Sequence, residues 1–266
     1  MELARRVRWV RYAVPCLILL HAVSSLSAYP NYLSYANELW GGPTEAYKYL
    51  NGLDEGQAYP EAKAYLERHP AENCWFVTGW QWDPRLYGVP CQTFGVFLPN
   101  QIPPRVHGTV IVSSTLLTAL TLTDGELAAP FKNITPRHKI GGSALLVYEG
   151  DFDAGRAAAI SETNLMESAF SAGQTSVALL HANRAVELAP DSANTHCTLC
   201  SLLAQIGQTD SALRECYTAQ ILLLHDPLRG EPLRKEFLDS IEARLTLLRI
   251  QYRATYGRDA PTPPTE

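Results

Sequence analysis

Residues 108–115 read GTVIVSST and residues 143–149 read SALLVYE. Each is a short apolar run bounded by turn signals, the pattern of a strand covered on both faces. Gly141-Gly142 opens the second run. Upstream, CWFVTGW (74–80) is aromatic and β-branched and predicts a third strand, with a turn at Asp83-Pro84 behind it. Further short strands are expected around Tyr87 and over 93–98, then a loop over 99–104. Before the strands, Gly41-Gly42-Pro43 breaks the chain, and helical patterning runs through 44–50 and 60–67 until Pro70 stops it. Helix and strands in this order predict a small α/β layer.

From Asp151 onward the strand signals vanish and Ala and Leu dominate. An internal correspondence appears at an offset of 34 residues: Gly173 with Gly207, Ala178 with Ala212, Ala185 with Ala219. That period, with small residues seven apart where two helices would cross, is similar to a tetratricopeptide repeat, and Pro190 falls where the repeat ends. The usual aromatic positions of that repeat are poorly kept. A long charged-faced helix is expected over 232–252, suited to capping a helical stack, and the remaining tail, with its APTPPTE end, is expected to be disordered.

Four arginines stand in the first eleven residues, and no Asp, Glu, Lys or Arg occurs over 12–37. The stretch YAVPCLILLHAVSSLSA (12–28) is about the length of a membrane span, and Trp9 and Tyr29 flank it as interfacial aromatics. A membrane anchor, a cleaved signal peptide ending near Ala28 and a buried helix are the readings that compete. An anchor, by the positive-inside rule, leaves the rest of the chain outside the cytoplasm. The 266 residues carry 46 % hydrophobic and 18 % charged types, a globular composition with room for about two domains. A net charge of −5 supplies no basic field for nucleic acid. A mean hydropathy of −0.10 excludes a chain made mostly of spans.

HAVSSLSAYPNYLSYANELWGGP (21–43), LDEGQ (53–57), RLYGVP (85–90), GTVIVSSTLL (108–117) and KIGGSALLVYE (139–149) form an ordered set of short motifs. Over about residues 20–150 the chain resembles the last membrane helix and external segment of the bacterial polyprenyl-phosphate-sugar-dependent integral-membrane glycosyltransferases, relatives of the protein mannosyltransferases. It departs from them at Glu55, where the family usually has Trp, and at Asn51-Gly52, often Ser-Asn there. The resemblance implies the C-terminal or accessory portion of such an enzyme, with the catalytic membrane bundle and its acidic external loop absent before residue 10. No catalytic residue is therefore assigned.

Asp54 and Gln57 of the LDEGQ loop are candidate sugar contacts, or alternatively a cap for the helix that follows. Trp80, Trp82 and Asp83 are a candidate aromatic-plus-acid sugar platform, or alternatively core. Cys74 and Cys91 each begin a predicted strand, and an oxidising compartment permits a disulfide between them. His196, Cys197 and Cys200 give too few ligands for zinc and read as helix packing. No phosphate loop, dinucleotide fingerprint, zincin motif or nucleophile elbow occurs, so no metal or cofactor is expected. The expected organisation is a stub and membrane helix (1–28), an external α/β domain (29–152), an all-α tetratricopeptide-like helical repeat (153–252) and a tail (253–266). The expected partners are the membrane, and a polytopic membrane protein or a peptide or protein held by the repeat. The expected location is a single-pass position in the cytoplasmic membrane, facing out. A free-standing anchored or secreted scaffold is the alternative.

Overall fold

The computed structural model describes residues 2–36, 41–50, 52–78, 83–95, 102–118, 122–225 and 231–262. Five strands, β1 (Cys74–Thr78), β2 (Gln92–Gly95), β3 (Arg105–Ser113), β4 (His138–Ile140) and β5 (Leu145–Asp153), form one sheet in the order β2-β1-β3-β5-β4. β1 runs parallel to β2 and β3, and β5 runs antiparallel to β3 and β4. The unbroken apolar runs of β3 and β5 follow from this position: both strands lie inside the sheet with both faces covered.

Helices follow as α1 (Glu2–Ser27), α2 (Tyr59–Arg68), α3 (Leu122–Ala128), α4 (Gly155–Ser171), α5 (Thr175–Leu188), α6 (Ala193–Gln205), α7 (Thr209–Leu224) and α8 (Glu231–Tyr256). α2 starts with Pro60 and Glu61 in its first turn and ends with Arg68 in its last, each suited to its terminus. It lays Ala58, Tyr59, Ala62 and Leu66 against Phe76, Ile111, Leu145 and Val147 on one face of the sheet. On the other face Leu127 and Phe131 join Ala157, Ala158 and Ile160 of α4 over Val77, Val110, Leu146 and Tyr148.

The last contact corrects the expected fold class. An all-α tetratricopeptide-like repeat standing apart from the α/β domain is not seen. The helix that would open its first copy, α4, is part of the sheet's own core. Its other side meets α5 through Ala159, Ala185 and Ala189. The molecule is one mixed assembly of eight α-helices and a five-stranded sheet among the described residues. Of the positions singled out for repeat packing, Ala178, Ala185, Ala212 and Ala219 are fully buried. Gly173 and Gly207 are not packing positions: a Cβ there would meet open space, and their φ of +75° and +79° shows that they serve the turns. Pro190 is exposed and offers its carbonyl to His196.

Other differences are local. The strand expected around Tyr87 is a 3₁₀ turn, Pro84–Tyr87, and the helix expected over 44–50 is a 3₁₀ turn, Ala46–Lys48. α8 runs on to Tyr256, and the Tyr217 hydroxyl donates to the Pro261 carbonyl at 3.0 Å, so this part of the tail is held. α1 has one 18-residue stretch, Val10–Ser27, apolar enough to cross a membrane at a mean hydropathy of 1.4. A signal sequence has the same features.

Candidate functional site

The order β2-β1-β3 sends the chain to opposite sides of β1. In open α/β sheets the crevice beyond the carboxyl ends of strands at such a point is where ligands bind. Here that edge is formed by Thr78 and Ser113, and Asp54 lies over it, fully buried. Its Oδ1 accepts the Gly56 N–H at 2.9 Å, and its own N–H donates to Thr115 Oγ1 at 3.4 Å. Burial pushes the carboxyl up to about 6, opposed by the neighbouring Ser113 hydroxyl and by the Gly56 N–H. Tyr59 stands beside it. Burial and the nearby Asp54 charge raise its phenol above the ordinary range, against the opposing influence of the Thr78 side chain.

The loop that carries Asp54 closes on itself. Gln57 Nε2 donates to the Leu53 carbonyl at 2.5 Å, and Gln57 Oε1 accepts the Glu55 N–H at 2.6 Å. Both candidate sugar contacts of this loop thus hold backbone, and neither caps α2, whose N-cap Ala58 has no side-chain cap. Next to the loop, Gly141 has φ +63°, and a Cβ on it would come within 2.5 Å of the Ala58 Cβ. Only glycine permits this approach of the β4–β5 turn. Glu61 fastens the same corner by accepting from the Gly141 N–H at 3.1 Å and the Asn31 amide at 3.0 Å. A carboxyl titrating near 6 has the proton affinity of an acid/base group. With no exposed surface it acts as a tie between loop and sheet.

Asp83 does different work. Its carboxylate caps the Pro84–Tyr87 turn through the Arg85 N–H at 2.9 Å and pairs with the Arg85 guanidinium at 2.7 Å. Arg85 holds the Asp83 carboxyl below its ordinary value. Trp80 and Trp82 lie outside the described residues, so the platform expected of them with Asp83 is not assembled from what is described.

Cys74 and Cys91 are joined, so the starts of β1 and β2 are stapled at one end. A second disulfide joins Cys200 of α6 to Cys216 of α7. This corrects the reading of Cys200 as plain apolar packing. Cys197, one turn away, keeps its thiol, which burial pushes up to about 11.

A cleft of about 260 Å³ between sheet and helices has no counterpart in the sequence reading. Its polar wall is Glu126, Arg156 and Asp191. Arg156 reaches Asp191 at 2.8 Å and Glu126 at 3.5 Å. The buried Glu126 also accepts from the Ser192 hydroxyl, which caps α6. With two acids on one guanidinium, the wall keeps a net negative charge and joins α3, α4 and the start of α6. Nearby, His196 gives one ring N–H to Glu215 at 2.7 Å and the other to the Pro190 carbonyl at 3.0 Å. Both partners are acceptors, a setting that suits the doubly protonated ring. Burial opposes the charge, but Glu215 and Pro190 outweigh it and the ring titrates above its ordinary value.

Among the described residues, no three His, Cys, Asp or Glu side chains are grouped to hold a metal ion. No protein-family model matches this chain, and no curated protein and no solved structure is found similar to it.

Proposed function

We propose that the chain is a membrane-tethered protein of an oxidising compartment that acts by binding, as the accessory part of a lipid-linked-sugar glycosyl-transfer system. The observation that carries this reading is the pair of disulfides, both downstream of a single apolar N-terminal helix. Stable disulfides belong to compartments outside the reducing cytoplasm. An anchored α1 with its arginines in the cytoplasm delivers everything after it to that side. The link to sugar transfer rests on the motif set between residues 20 and 150.

The use made of the polar groups favours binding over catalysis. Asp54, Gln57 and Asp83 are each occupied with backbone or with a neighbouring side chain. Transfer from a lipid-linked sugar also needs a lipid groove in the membrane, which one helix does not form. The test is reconstitution of the full chain in vesicles with a polyprenyl-phosphate sugar and an acceptor. Transfer is expected only after a polytopic partner is added. Turnover by the chain alone overturns the reading, and Asp54 and Asp83 are then the first residues to replace.

A further inference from the structure

The junction between α1 and the sheet domain is short and pinned. Over Val10–Ser27 most of α1 is bare, but Ser24 in its last turn and Ala28 just beyond it are buried. The Ser24 and Tyr35 hydroxyls are hydrogen-bonded, and Ser27 Oγ donates to the Ser24 carbonyl at 2.6 Å. The chain then stays on the sheet's carboxyl edge. Asn31 donates to Glu61, Ser34 Oγ donates to the Leu53 carbonyl at 3.3 Å, and Ala36 packs with Ala46 and Leu53. The nine residues after α1 therefore carry no free linker. Wherever α1 leaves its apolar surroundings at Ser27, the segments holding Ala46 and Leu53 stand close to that point.

The outer surface of this junction is unlike an ordinary protein surface. Tyr29 is 73 % exposed and Leu33 57 %, and Tyr32, Tyr49 and Leu50 are exposed with them. No charged residue occurs between Tyr29 and Ala36. Scattered exposed apolar residues need no account. These are gathered on the two segments that share the Ala36–Ala46–Leu53 cluster, next to the end of the apolar helix. Tyrosines with leucines at that depth are what a bilayer's head-group layer accommodates.

We infer that the carboxyl edge of the sheet rests on the bilayer, with Tyr29, Tyr32, Leu33, Tyr49 and Leu50 immersed in the lipid head-group layer. The inference rests on α1 being retained as an anchor. It gives the domain one orientation, with the loop holding Asp54 facing lipid.

The full chain is reconstituted in phosphatidylcholine–phosphatidylglycerol vesicles containing a lipid with a diazirine close to its head group. After irradiation, adducts are mapped by proteolysis and mass spectrometry. Adducts are expected within residues 17–20 of α1 and on Leu33, Tyr49 and Leu50, several-fold above Leu180 of α5 and Leu247 of α8, which are as exposed but belong to neither α1 nor the two junction segments. Adducts confined to α1 overturn the inference and leave the anchor standing, as they would if a protein partner were the natural cover of this edge. Absence of adducts everywhere removes the anchor and the inference with it.

Discussion

The sheet half and the helical half of this molecule differ in how many of their buried positions are alanine. Around the sheet, large side chains fill the core: Tyr59, Phe76, Ile111, Leu145 and Tyr148 are all essentially without exposure. Between α4 and α7 fully buried alanines, Ala178, Ala185, Ala212 and Ala219, stand beside Leu213 and the Cys200–Cys216 bridge. Each half is closed by one disulfide of nearly equal span, 17 and 16 residues. Each also buries an ionisable group, but Asp54 is held by hydroxyls and a backbone N–H whereas His196 is held by a carboxylate and a carbonyl. The halves should therefore fail differently: the sheet when volume is removed, the helices when volume is added.

The largest effect expected is Phe76→Ala. A cavity between α2 and β1 should cost about 3–5 kcal/mol in urea unfolding. Next come the staples. Cys74→Ser and Cys200→Ser should each cost about 3 kcal/mol, since loops of this length lose that much unfolded-chain entropy. Equal losses would treat the halves as one cooperative unit stapled twice. A loss at only one would mark the other bridge as idle.

The buried acid follows. Asp54 titrates near 6 when folded and at 3.8 as a free side chain. The folded state then holds the proton more tightly, so stability falls as pH rises through this window and stays low above it. The shift is worth about 3 kcal/mol. Asp54→Asn keeps an acceptor for the Gly56 N–H, and the difference between its stability and that of the native chain should change across pH 4 to 6 with this sign. A flat difference would show that Asp54 is not buried in solution.

Adding volume to the helical half comes next. Ala185→Leu or Ala219→Leu should cost about 1–3 kcal/mol by overpacking the crossings. Unchanged unfolding for both would remove the packing contrast. The smallest effect belongs to His196. Its raised value means stability fully present below about 6.5, the free imidazole value, and lost as pH rises through the folded one. His196→Gln should abolish that dependence, read as a pH-dependent difference in urea midpoint.

Much of the sheet is legible in the sequence because strands covered on both faces are written as unbroken apolar runs. β4 is not legible: HKI is three residues on a sheet edge, with too few positions to show a period. α3 is hidden because LTDGELA carries Gly125 and Asp124, poor helix formers; Leu127 and Ala128 gain their place by packing. Around Tyr87 the aromatic signal suggests a strand, but Asp83 caps a turn that takes the chain elsewhere. The repeat reading fails at α4 because a 34-residue spacing records which small residues cross. It says nothing of what lies on the helix's other face.

The second disulfide did leave a signal. Cys200 and Cys216 are equally distant from Gln208, at the turn between two antiparallel helices, so they face one another. The Glu126–Arg156–Asp191 group left none, because its members come from three separate segments.

The central claim is that this chain lives tethered on the oxidising side of a membrane. It is tested most directly by counting thiols in the full chain from the membrane pellet, denatured and treated with a mass-tagged maleimide before and after reduction. The account predicts two tags before reduction, on Cys16 and Cys197, and six after it. Six tags without reduction, or a full-length chain released from membranes by carbonate, would contradict it.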